Sequence, residues 1–214
     1  CMLYKKDKIC IRTFFFIILA AFCLNLGVRA AHREILQQGI AQEILRFHVV
    51  ANSDSEDDQR VKYLVRDKIL AWMKEKRNKE DAGQTERFVQ KEEAAVFFKE
   101  HLSEMEAEAD RVLRENGMDY QAKAELAQIY FSERVYGEYT FPAGWYEALR
   151  IRLGKADGHN WWCVLYPKLS FSNCIRGVKK DGNPAGDLKE VLTAQEYESL
   201  FCEPKKWKIA FRWF

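Results

Sequence analysis

Between Thr13 and Val28 the chain reads TFFFIILAAFCLNLGV, an apolar run without a charge, placed directly after Lys5, Lys6, Lys8 and Arg12. As a helix, sixteen residues would span about 24 Å, slightly less than the roughly 30 Å of a bilayer's hydrocarbon core. No polar face exists between Phe14 and Leu24, so the segment does not read as an amphipathic surface helix. Positive charge on its N-terminal side is the pattern of a signal peptide or a short signal anchor. Val28-Arg29-Ala30 offers small residues at the −3 and −1 positions for cleavage before Ala31. The organisation expected is therefore a signal peptide or anchor over 1–30, a polar stalk over 31–43 (AHREILQQGIAQE), and one domain over 44–214. The domain is expected outside the membrane it crosses, tethered by residues 13–28 if the leader is not cut.

The formal net charge of +2 hides an uneven distribution. Residues 1–30 hold five basic residues, Lys5, Lys6, Lys8, Arg12 and Arg29, against the single acid Asp7. Without them the chain is slightly acidic and has no general attraction for phosphate backbones, which argues against nucleic-acid binding. Of the cysteines, Cys163, Cys174 and Cys202 lie beyond the leader. Their spacings fit no zinc motif, and no metal or cofactor is expected.

Hydrophobic periodicity gives the fold class. Ile44–Val50 alternates Ile44, Arg46 and His48 with Leu45, Phe47 and Val49, a strand with one polar face. Ser55 and Asp58 form a capping pattern, and Val61, Leu64, Val65, Ile69 and Trp72 predict a helix over about 56–76. A second helix is predicted over about 85–115 on Phe88, Ala95, Phe98, Leu102, Met105, Ala109 and Val112, stopped by Asn116-Gly117. Strand patterns follow at 120–126, 149–153, 161–166 and 206–213, with a turn-rich stretch at 136–144 and a loop at 176–187. Thr193 is placed to cap a short helix through Leu200. The class expected is α+β: a mostly antiparallel sheet packed against two long amphipathic helices, with the first strand open to parallel pairing.

Two groupings invite a chemical reading. His159, Asn160 and Cys163 are the residue types of thiol proteases, yet a cysteine inside the apolar run WWCVLY reads as a buried thiol or a disulfide partner. Asn52-Ser53-Asp54-Ser55-Glu56-Asp57-Asp58 carries oxygen ligands like a calcium loop, but lacks the mid-loop glycine and has Tyr63 where a closing glutamate belongs. Helix capping accounts for the same residues. No nucleotide-binding or hydrolase motif is present, and no catalytic residue is assigned.

The strings LRFHVVANSDSEDDQRVKYLVRDKIL (45–70) and YTFPAGWYEALRIRLGKADGHNWWCVLYP (139–167) resemble the two signature blocks of the stage II sporulation protein R family. That resemblance implies an exported signalling protein of endospore formation, made in the forespore and delivered to the space between forespore and mother cell. There it would activate a membrane-embedded aspartic protease that processes the pro-form of the early mother-cell sigma factor. The chemistry would be the partner's, and the chain itself would have no small-molecule substrate. The family pattern often sets a second cysteine where this sequence has Ser170; with Cys174 four residues further on, a Cys163–Cys174 disulfide stays open. Readings from other classes are a secreted thiol hydrolase using Cys163 and a cell-wall-binding module using Trp145, Trp161 and Trp207. For the partner-binding surface, the surplus of polar groups between strand and helix points to Asn52, Asp54 and Asp58. Arg66 and Asp67 on the helix extend it, and the loop at Gly158 and Asn160 is the next candidate.

Overall fold

The computed structural model describes residues 2–80, 88, 90–136, 138–167 and 184–201, with side chains described from Phe14 onward except at 78–80 and 184–186. In chain order the elements are α1 (Met2–Glu43), β1 (Leu45–Val50), α2 (Glu56–Glu80), α3 (Lys91–Glu100), α4 (Leu102–Glu115), β2 (Ala122–Phe131), β3 (Arg134–Tyr136), β4 (Tyr139–Phe141), β5 (Gly144–Leu153), β6 (Asn160–Tyr166), α5 (Pro184–Val191) and α6 (Ala194–Ser199). The class is α+β with a mixed sheet. Its strand order is β2-β5-β1-β6, and β3 and β4 form a separate hairpin. β1 runs parallel to β5, while β1–β6 and β2–β5 are antiparallel. Parallel pairing of the first strand therefore occurs, with β5.

The sheet is covered on both faces. Phe47, Val49, Leu149, Ile151 and Leu153 meet Val61, Val65 and Ile69 of α2 and Met105, Ala109 and Leu113 of α4 in a first core. These helical positions lie three or four apart and so fall on one face of each helix. On the opposite face, Tyr146, Ala148, Ile129, Phe131 and Val164 pack with Ile40 and Ile44, Phe141 of the hairpin, and Leu188, Leu192 and Leu200. With this second cover all six residues of β1 are buried, Arg46 and His48 on its polar face included.

α1 is continuous from the apolar run into the polar segment 31–43. By length and composition its Phe14–Glu43 part could cross a membrane, with a mean hydropathy of 2.1 and none of the apolar window buried. Its last turns belong to the domain. Ile40 is fully buried, and Gln37 Nε2 donates to the carbonyl of Trp145.

Other differences from the periodicity have local causes. The single helix expected up to Glu115 is interrupted at His101 (φ −109°, ψ 13°), where the ring Nδ1 lies 2.7 Å from the Phe97 carbonyl oxygen. The backbone N–H of His101 reaches back only to Phe98, so one turn tightens and the α-helical ladder breaks between α3 and α4. The expected start near Thr85 lies outside the described residues, as does the strand at 206–213. The loop expected over 176–187 gives way to α5 at Pro184, whose fixed φ suits a first helical position. Gly117 stops α4 in the left-handed region (φ 74°), with Met118 N donating to Leu113 O. Thr193 and Glu196 form the capping box of α6.

Candidate functional site

β1 and β5 point the same way, so their C-terminal ends open on one edge, beside the N-terminus of α2. The chain leaves β1 at Ala51 and turns through 52–55 before α2 begins. Ser55 caps the helix, its Oγ accepting from Asp58 N at 3.2 Å. Asp58 is only 5% exposed and is the hub of the turn. One carboxylate oxygen accepts from Asn52 Nδ2 (2.9 Å) and Ser53 Oγ (2.5 Å), and the other accepts from the Tyr120 hydroxyl (2.5 Å). Burial alone would raise the Asp58 pKa; hydrogen bonds from Ser53, Tyr120, Asn52 and Ser55 outweigh it and hold the carboxyl below the usual range. The Tyr120 hydroxyl is pushed up in return by burial and by the Asp58 carboxylate.

The same turn is laced to the β5–β6 connection. Asn52 Oδ1 accepts from Lys155 N (3.0 Å), and Gly158 N donates to Ala51 O (3.0 Å). Asp54 accepts from both the backbone N–H (2.6 Å) and the ring Nδ1 (2.5 Å) of His159. These His159 bonds keep the Asp54 carboxyl below its ordinary range. Lys62, on the first turns of α2, donates to His159 O (3.0 Å) and to Gln59 Oε1 (2.5 Å), and burial lowers its pKa. Asp54 and His159 are the exposed members, with side chains 55% and 79% accessible.

Gly158 permits this closeness. A Cβ built there would lie 2.2 Å from the backbone oxygen of Ser53, a contact that no rotamer change relieves. Gly158→Ala should separate the two loops and cost about 2 kcal/mol, read as a lowered melting temperature of the full chain.

The residues singled out in the sequence fall into distinct roles. Asn52, Asp54, Asp58 and Gly158 come together in one network. Arg66 does not belong to a solvated polar face of the helix: it is 7% exposed, with its guanidinium 4.8 Å from the Tyr63 ring and 5.0 Å from the Trp161 ring. Its partner Asp67, at 2.6 Å, keeps a side chain 42% accessible. Asn160 is exposed at the start of β6. Tyr120 and Lys62 were not legible as site residues, and His159 was weighed only beside Cys163. Cys163 is buried in the first core while the His159 ring engages Asp54, so the thiol-protease grouping is not assembled. Cys174 lies outside the described residues. Asp54 and Asp58 are both committed to donors from the protein, and among the described residues no cluster of three metal-ligating side chains occurs.

What the network makes is a hydrogen-bonded edge on a strand–helix unit, with Asp54, His159 and Asn160 exposed along it. Comparison with known families matches residues 41–176 to stage II sporulation protein R. The chain belongs to the stage II sporulation protein R family. The matched region begins in the last turn of α1 and takes in α2, α4, the whole sheet and the loop network. A protein of Bacillus subtilis (strain 168) named stage II sporulation protein R is 30% identical over 207 residues, covering 95% of this chain and 88% of its own length. No solved structure matches the chain.

Proposed function

We propose that this chain is an exported signalling protein of endospore formation. It activates a membrane-embedded aspartic protease, which then processes the pro-form of the early mother-cell sigma factor. Membership of the stage II sporulation protein R family, over a match that spans the sheet and its loop network, carries this reading. The bare apolar stretch of α1 agrees with delivery across, or anchoring in, a membrane. In this reading the chain contributes a recognition surface and no chemistry, and the edge carrying Asp54, His159 and Asn160 is the part that meets the protease.

Reconstitution in a non-sporulating host tests it. Co-expression of this chain, the protease and the pro-sigma factor should yield the shortened factor. Deletion of residues 1–30 should abolish processing while the protein still accumulates. Normal processing by the truncated, cytoplasmic protein contradicts the export step. Asp54→Ala should reduce processing about tenfold and leave the melting temperature nearly unchanged, because its contact with His159 is exposed. Unchanged processing moves the interface away from this edge.

A further inference from the structure

The second face of the sheet carries a group of cations that the loop site does not use. In register across this face, His48 stands opposite Arg150 on one side and Trp162 on the other, and Arg46 stands opposite Ala148 and Val164. Arg46 is fully buried. Its Nη2 donates to the Tyr136 hydroxyl at 2.9 Å, but Nε and Nη1 have no partner. Its Cζ lies 4.1 Å from the centre of the Phe131 ring and 5.0 Å from that of Tyr146. His48 is 4% exposed and stacks on Trp162 at 3.8 Å, with neither ring nitrogen hydrogen-bonded. Arg134 leans over the other ring neighbour of this stack, its Cζ 5.4 Å from Trp162 and its buried Nε without a partner.

Arg46, Arg134, Arg150 and Arg152 thus lie on or beside this face, and among the described residues a single carboxylate is paired with them. Glu125 Oε1 lies 2.7 Å from Arg150 Nη2 and 4.0 Å from Arg152 Nη1. The buried Nε and Nη1 of Arg46 and Nε of Arg134 find no acceptor, so their charge is left to act on the half-exposed rim of the face. Residues 168–183 carry Lys168, Arg176, Lys179 and Lys180 against Asp181, and residues 202–214 carry Lys205, Lys206, Lys208 and Arg212 against Glu203. The chain beyond the leader is slightly acidic as a whole, which makes this local excess of positive charge a departure from its surroundings.

We propose that this face docks an acidic peptide segment of a partner protein. Arg150 and Arg152, with side chains 29% and 44% accessible, take its carboxylates at the rim. The half-buried Trp162 gives the neighbouring apolar side chains a surface, and the sealed Arg46 and half-buried Arg134 add positive potential beside it. A small inorganic anion would use the guanidinium groups and gain nothing from the tryptophan. Glu125 occupies the rim arginines in the absence of the partner. The proposal concerns this face alone and does not depend on the sigma-factor reading or on the Asp54 edge.

The full chain in nanodiscs of neutral lipid, titrated with a fluorescein-labelled decamer of glutamate, provides the test by anisotropy. The glutamate decamer should bind and the glutamine decamer should not. Arg150→Gln combined with Arg152→Gln should weaken binding about tenfold, whereas Glu125→Gln, by freeing the rim, should tighten it at least about threefold. Arg46→Met should weaken binding without lowering the melting temperature, since the apolar side chain removes an unpaired buried cation. Equal binding of the two decamers, or a Glu125→Gln variant no tighter than the parent, overturns the proposal. So does complete displacement by citrate at equal carboxylate concentration, which would mark a simple anion site.

Discussion

Asp58→Ala is expected to lower the stability of the domain by about 3 kcal/mol, more than the loss of an ordinary helix cap. The carboxylate is 5% exposed and accepts from Asn52, Ser53 and Tyr120 at once. Truncation leaves three donors in a part-buried turn without their acceptor, and each then bears part of its desolvation cost. It also cuts the tie between α2 and Tyr120, which stands just ahead of β2. Asp58→Asn is the informative control: one oxygen survives as an acceptor, and about half of the loss should be recovered. Urea unfolding of the chain held in nanodiscs, followed by tryptophan fluorescence, measures both. A loss below about 1 kcal/mol for Asp58→Ala would show that the hub is not structural and return Asp58 to the set of recognition residues.

The residues of this network show what a sequence can and cannot disclose. Ser55 and Asp58 were legible as a cap because capping is decided within one turn of chain, as were Gly117 and the Thr193 box. Tyr120 and His159 were not, because they reach Asp58 and Asp54 across 62 and 105 residues. Nothing in local periodicity announces such a meeting. The break at His101 was hidden for a related reason. Apolar residues keep a helical spacing through it, and only the side-chain approach to the Phe97 carbonyl interrupts the ladder. Alternation along β1 gave a strand with Arg46 and His48 on one face, and could not show what covers that face. Arg46 and His48 would point to water in a two-layer domain, but α1, the β3–β4 hairpin and α5–α6 supply a third layer from distant parts of the chain. The two strings that resemble the family, 45–70 and 139–167, contain β1 and β5 with the loops that follow them, but do not reveal that these strands pair or how the loops touch.

Burial of His48 should make the domain's stability depend on pH in a window where its carboxylates are still mostly ionised. Desolvation lowers the His48 pKa from 6.5 to about 4; the nearby Asn160 side chain favours the charged form, while Arg150 and Arg46 disfavour it. Burial is the largest of these influences and prevails. The unfolded chain therefore takes up a proton near pH 6.5 that the folded chain refuses until about pH 4. Stability from this group is fully present above pH 6.5, falls progressively as the pH drops, and loses no more below about 4. The span corresponds to about 3 kcal/mol. Asp58, Glu106 and Glu108, held below their ordinary ranges, add losses of the same sign at lower pH. Glu43, raised by burial and by the Glu92 and Glu196 charges, works in the opposite direction. His48→Phe isolates the histidine, because the ring still stacks on Trp162 but no longer titrates. Its unfolding free energy should fall by about 3 kcal/mol less than the parent's between pH 7 and pH 4. Parallel curves for the two proteins would mean that His48 is protonated within the fold and already paired with an acceptor there.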